Sequence, residues 1–211
     1  MDPLDGLDDV PWAQLTHAYG SAEDVPALLR QLRGDEHERE SALEALHGNI
    51  WHQGTTYEAT AFAVPFLARL AEADGSLAPE LLFYLGAIAD GHTYRYGKSV
   101  HDPRSAEERS REVGWTESAR EAVRAELPRL VVSVRARLDR PVIAGFCRLA
   151  YAFPEERAIL RDPLNEAFEA GDLTPLDQAA VVMALLRGGG DESWGEVVLL
   201  SVLSEALKPA D

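Results

Sequence analysis

AFAVPFLARL, residues 61–70, sets a proline inside a run that otherwise keeps helical spacing. Proline in a helix interior removes one backbone hydrogen bond and bends the helix. The same phrase recurs along the chain, as Val25-Pro26-Ala27-Leu28 and Leu127-Pro128-Arg129-Leu130, with a weaker copy at Asp162-Pro163-Leu164. Pro26 and Pro65 lie 39 residues apart, and Pro65 and Pro128 lie 63 apart. The second interval is longer by 24 residues, the length of the polar segment 91–114, GHTYRYGKSVHDPRSAEERSREVG. Each Pro-bearing run is followed by a second apolar-periodic run, at 37–48, 79–90, 141–153 and 175–187. Helix pairs recurring near 40 residues with one insertion point to stacked repeats that bury a continuous core.

Helical periodicity extends over 22–33, 57–73, 116–138 and 155–170 as well, and no alternating strand pattern stands out. The expected fold is therefore all-α, a right-handed α–α superhelix of about four helix pairs forming a single domain. Residues 1–21 supply an N-terminal cap with a helix at 11–19, carrying Trp12 and Tyr19. Residues 22–90 form repeats 1 and 2, 91–115 an insertion loop, and 116–187 repeats 3 and 4. Residues 188–211 form a C-terminal cap with a helix at 193–207, carrying Trp194. Exposed ends of a stack need such covers.

The period, the Pro-bearing first helices and the VPxLLxxL phrasing together resemble HEAT-like repeats over residues 22–187. The block IWHQGTTYEATAFAVPFLARL is similar to one that recurs in bacterial, notably actinobacterial, HEAT-repeat proteins of largely unassigned function. The resemblance implies a protein-interaction scaffold. Some small bacterial arrays of that type resemble immunity or toxin-neutralising proteins, and one branch comprises DNA glycosylases for alkylated bases.

Charge bears on the partner. The formal net charge is −16, divided into −12 over residues 1–94, +3 over 95–140, +1 over 141–154 and −8 over 155–211. Two acidic ends flanking a mildly basic middle would repel a phosphate backbone, so a nucleic-acid partner is disfavoured and a basic protein partner favoured. The opening MDPLDGLDDV lacks the basic and apolar parts of a secretory signal, and no run is long enough to cross a bilayer. One cysteine, Cys147, allows no internal disulfide. A cytoplasmic protein away from membranes is the expectation; oligomeric state is left open.

The residues that carry chemistry gather in two places. In GNIWHQGTTYEATAFAVPFL (48–67), Gly48 suits a helix stop with positive φ, and Thr55-Thr56-Tyr57-Glu58 has capping-box spacing. Trp51 is placed to pack on the repeat beneath. His52, Gln53 and Tyr57 have no structural role so specific and are candidate contacts. The insertion adds His92, Tyr94, Arg95, Tyr96, His101 and Asp102, with Lys98 between them. Long insertions in repeat arrays often carry binding. The two loops should leave opposite ends of the second helix pair unless the insertion folds back.

Sequence spacing favours no enzyme class. His52, His92, His101 and Asp102 follow no zinc pattern, G-x-S-x-G and P-loop motifs are absent, and Cys147 sits in an apolar run. Arg120, Arg124, Arg135 and Arg137 could line a basic channel, but Glu117, Glu121 and Glu126 nearly cancel them at helical spacing. The functional expectation is non-catalytic binding of a basic protein through the concave face and loops 48–56 and 91–115, with no cofactor. An immunity protein against a cationic toxin is its concrete form. The competing expectation is a small-molecule or metal enzyme built around His52, His92, Tyr94 and His101, and a HEAT-like DNA glycosylase stands behind both.

Overall fold

The computed structural model describes residues 2–91, 105–135 and 140–187. Among these, eight α-helices follow one another: α1 (Val25–Gln31), α2 (Glu36–Asn49), α3 (Glu58–Ala73), α4 (Ala78–Ala89), α5 (Ala106–Arg135), α6 (Arg140–Ala152), α7 (Arg157–Glu169) and α8 (Pro175–Arg187). The all-α expectation holds. Helices α3, α5 and α7 neighbour one another in one layer, and α4, α6 and α8 do so in a second. At the N-terminal end α1 lies against α2 and α3.

Local chemistry sets several starts. Asp35 and Glu38 close a capping box on α2, each accepting the other's backbone N–H at 3.0 Å. Ser105 and Glu108 do the same for α5, at 3.1 and 2.6 Å. That box starts α5 at Ala106, so the last ten residues of the segment expected as an insertion loop belong to the long helix. His92, Tyr94, Arg95, Tyr96, His101 and Asp102, with Lys98, lie outside the described residues. So do Arg137 and the C-terminal helix expected at 193–207.

The N-terminal helix expected at 11–19 does not form. Two 3-10 turns, Leu7–Asp9 and Trp12–Gln14, lead into a hairpin of β1 (Thr16–His17) and β2 (Gly20–Ser21). Gly20 holds φ at +125°, a value closed to a helix, and Trp12 Nε1 donates to Leu7 O at 2.8 Å inside the core. Trp12 stands 6.3 Å from Phe66 of α3, so this segment covers the first helices without being helical.

A second hairpin, β3 (Trp51–His52) with β4 (Thr55–Thr56), precedes α3. His17 and His52 hold the same place in the two hairpins, the second residue of the first strand. Pro26 follows His17 by 9 residues, whereas Pro65 follows His52 by 13. The difference is about one helical turn. Pro26 accordingly sits in the first turn of α1, where its missing N–H costs nothing, and Pro65 sits inside α3. Pro128 and Pro163 are interior to α5 and α7.

Helix α4 is the most deeply enclosed. Leu81, Leu82, Tyr84, Leu85 and Ile88 are fully buried, and α3, α5 and α6 surround the helix. The approach of α6 depends on glycine. A Cβ on Gly145 would lie 2.7 Å from Leu82 Cβ and 2.8 Å from the Phe83 backbone nitrogen. A Cβ on Gly86 would lie 2.8 Å from Arg148 Cγ. Close packing of this kind tolerates added volume poorly.

Gly145→Ala adds one methyl against backbone that no rotamer change can relieve. Overpacking costs about 1–3 kcal/mol, offset by about 1 kcal/mol of helix propensity. The expected outcome is a net loss near 1 kcal/mol and a lower Tm by thermal denaturation. An unchanged or higher Tm would show that α4 and α6 can separate without cost.

Candidate functional site

The joint at residues 50–60 is built by a turn and a helix start that share hydrogen bonds. Gln53 at φ +52° and Gly54 at φ +89° form the two-residue connection of β3 and β4. Two positive φ values in succession match the twist of a tight hairpin. Gly48 is not the helix stop: α2 runs one residue further, to Asn49, and the left-handed backbone falls at Gln53-Gly54 instead. The Thr55–Glu58 capping box does not form either, because Thr55 and Thr56 are used as strand. Tyr57 is the residue before α3, and its N–H donates to Thr60 Oγ1 at 2.8 Å. Thr60 Oγ1 donates in turn to Ile50 O at 2.5 Å. Glu58 is left to accept from Thr16 Oγ1 of the first hairpin at 3.1 Å.

Trp51 packs as its position implied. Its Nε1 donates to Ala87 O at 3.0 Å, and its ring meets Tyr84 and His47 edge-on. His52 faces the first hairpin, with Nδ1 3.4 Å from Tyr19 Oη and the two rings near perpendicular at 5.7 Å. Burial pushes the Tyr57 phenol above its ordinary range, with Glu112 and Tyr19 adding to the shift. Tyr19, His52 and Tyr57 thus share one edge, and Gln53 is exposed beside them. Tyr19, expected in the N-terminal cap, therefore belongs to this edge.

The insertion starts from the same place. A Cβ on Gly91 would lie 2.8 Å from Thr56 Cγ2 and 3.5 Å from Gly54 O. The 48–56 loop and the beginning of the 91–115 segment therefore leave the same end of the α3–α4 pair, not opposite ends. The physical reason is simple: a short 74–77 connection folds α4 back along α3, so the start of one helix meets the finish of the other. Thr56 Oγ1 also donates to Thr116 Oγ1 of α5 at 3.2 Å.

His17 looks like a catalytic base and is not placed as one. Tyr19 N–H donates to its Nδ1 at 3.0 Å, so Nε2 carries the proton and donates to Asp24 Oδ1 at 2.9 Å. Asn49 Nδ2 donates to Asp24 Oδ2 at 2.6 Å. Both ring nitrogens are committed to fastening the hairpin to α1 and α2. Cys147 is equally withdrawn, its thiol pushed up to about 12 by burial and by Asp177. Among the described residues, no three His, Cys, Asp or Glu side chains gather at metal-binding range, and no helix is long and apolar enough to cross a membrane. The α5 arginines are bonded chiefly across helices: Arg120 and Arg124 to Glu155, and Arg135 to Glu166. Along α5 itself Arg124–Glu121 and Arg129–Glu126 pair at i,i+3, and Arg111–Glu107 at i,i+4.

An open groove lies elsewhere, on the face shared by α2, α4 and α6. Its volume is about 410 Å³, lined by Leu43 and His47 of α2, Pro79, Glu80 and Phe83 of α4, and Ala144 and Gly145 of α6. Phe83 is 46% exposed there, unusual for a ring on the most enclosed helix. Glu40, Leu43, Glu44 and His47 fall at i, i+3, i+4 and i+7, so one stripe of α2 carries both the groove wall and two carboxylates. Glu40, Glu44 and Glu80 are exposed and meet no cation among the described residues. Burial holds the His47 imidazole below its ordinary range, so at neutral pH it is uncharged and does not offset them. Pairwise spacing along α2 marks this stripe, but nothing local in sequence brings residue 43 to residue 145.

The chain has no significant match among protein-family models, curated proteins or solved structures. Function must be read from the site itself.

Trp51→Phe removes the donor to Ala87 O while keeping an aromatic ring. A buried carbonyl left without a partner costs about 1–3 kcal/mol, so a lower Tm is expected and an unchanged one would show the bond is dispensable. His47 makes a pH-dependent contribution of definite sign. Its folded form resists protonation, so stability present above about pH 6.5 is lost as pH falls through that value. Between pH 7.5 and 5.5 the wild-type Tm should fall further than that of His47→Gln; parallel falls would remove His47 from the account.

Proposed function

We propose that the protein is a non-catalytic binding module of the HEAT-like repeat type, whose α2–α4–α6 face receives a basic protein partner. The observation that carries this reading is the pairing of an apolar groove with three carboxylates that no cation among the described residues neutralises. An apolar centre with a charged rim is the common anatomy of protein-binding surfaces, and complementary rim charge speeds encounter and selects partners. The acidic balance of the whole chain extends the same field outward. Neutralisation of a cationic toxin domain is the concrete form of the proposal, with the Tyr19–His52–Tyr57 edge as a second contact.

The reading is tested by charge reversal. Glu40→Lys, Glu44→Lys and Glu80→Lys together should abolish recovery of the partner from the source cell. A control triple on other surfaces, Glu23→Lys, Glu117→Lys and Glu169→Lys, should retain it, and raised salt should weaken the wild-type complex. Equal recovery with both triples would sink the assignment of this face.

A further inference from the structure

Arg148 of α6 differs from the other arginines around it. Arg39 pairs with Asp74, Arg120 and Arg124 with Glu155, Arg129 with Glu126, and Arg135 with Glu166. Arg148 donates to no carboxylate or carbonyl among the described residues. Its Nε, like those of Arg124 and Arg129, is buried without a hydrogen-bond partner, but those two arginines place their other nitrogens on carboxylates. Its guanidinium lies over an aromatic ring, with Cζ 4.6 Å from the centroid of Phe83. Phe83 is the ring that lines the groove, and Gly145, also in the lining, lies one turn before Arg148 on α6.

The side chain is nevertheless held in place. Its stem rests where a Cβ on Gly86 would fall, 2.8 Å from Cγ, and its head lies against Phe83. A guanidinium already fixed by packing loses little freedom on binding, and its remaining N–H groups form a planar fork suited to a carboxylate. A buried donor with no acceptor is otherwise a standing cost. The α2 and α4 walls of the groove carry the opposite charge, on Glu40, Glu44 and Glu80.

We infer that the groove is a two-pole surface whose occupant is a protein segment with an apolar anchor, a carboxylate for Arg148 and a cation for the α2–α4 carboxylates. This rests on the protein-binding reading above and adds to it. A purely basic segment would satisfy the acidic pole and leave Arg148 repelling it. A segment of mixed charge satisfies both poles and enters in one direction only, so Arg148 sets orientation and excludes partners that are merely cationic.

Three synthetic 14-residue peptides test the inference, alike in an apolar centre. One carries Arg at one end and Glu at the other, one Arg at both ends, and one Glu at both. Each is titrated calorimetrically into the full-length protein and into Arg148→Gln, Arg148→Glu and Glu40→Lys/Glu44→Lys/Glu80→Lys, all first checked for a wild-type-like melt. The mixed peptide should bind wild type tightest, and Arg148→Gln should weaken it roughly tenfold, the size of one charge-assisted contact. The same change should spare the doubly basic peptide, and Arg148→Glu should make that peptide the tightest. If the doubly basic peptide equals the mixed one on wild type and Arg148→Gln changes neither, the carboxylate pole is wrong while the basic-partner reading stands. If no peptide binds wild type more tightly than a scrambled, uncharged control, both are overturned.

Discussion

The four carbonyls at the C-terminal end of α4 are the constraint on which the centre of the molecule depends. A helix leaves its last four C=O groups without intrahelical donors, and α4 ends in the core where water cannot serve them. Two are answered by the residues that follow the helix and two by other elements. Asp90 N–H donates to Gly86 O and Gly91 N–H to Ile88 O, both at 3.0 Å. Trp51 Nε1 takes Ala87 O and Arg120 takes Ala89 O, again both at 3.0 Å. The second hairpin and α5 are thereby fixed to one helix end, and the arginine sits where the helix dipole favours a cation. The tight turn of Trp51–Thr56 brings the indole to that point and leads directly into α3.

How far the sequence discloses this varies with the kind of interaction. The recurring V-P phrase exposes the helix pairs because it is local and periodic. The S/T/D-x-x-E/D spacing marks true helix starts at Asp35–Glu38, Ser105–Glu108 and Thr174–Asp177. It misleads at Thr55–Glu58, where strand pairing with Trp51–His52 claims the same backbone first. Strands of two residues carry no readable alternation, which is why both hairpins escape a periodicity reading. A signal was present all the same. His17 and His52 recur at one hairpin position, each three residues before its strand partner, Gly20 or Thr55.

The candidate joint was legible in part for the same reason. Trp51 announces itself by size and place, whereas the partner of His52 comes from Tyr19, on a segment read as a helix. The groove was not legible at all as a site. Leu43, Phe83 and Gly145 belong to three helices, and their meeting depends on Gly86 and Gly145 allowing α6 to close on α4. Small residues at a helix crossing look like filler in a sequence and decide geometry in a fold.

Commitment of polar groups separates the two surfaces as binding sites. At the hairpin end His17 has both nitrogens engaged, Thr60 bridges Tyr57 and Ile50, and Trp51 serves an α4 carbonyl. A ligand that took any of these bonds would leave its former partner unsatisfied in a buried setting, and the loss would match the gain. In the groove the reverse holds. Among the described residues Glu40, Glu44 and Glu80 have no cation and the Arg148 guanidinium no carboxylate or carbonyl to give up, and Phe83 is partly exposed. Free energy of association comes from groups whose needs the folded chain has not met. Among the described residues the hairpin end offers one such buried atom, Thr55 Oγ1, whereas the α2–α4–α6 face gathers three carboxylates, a guanidinium and an exposed ring.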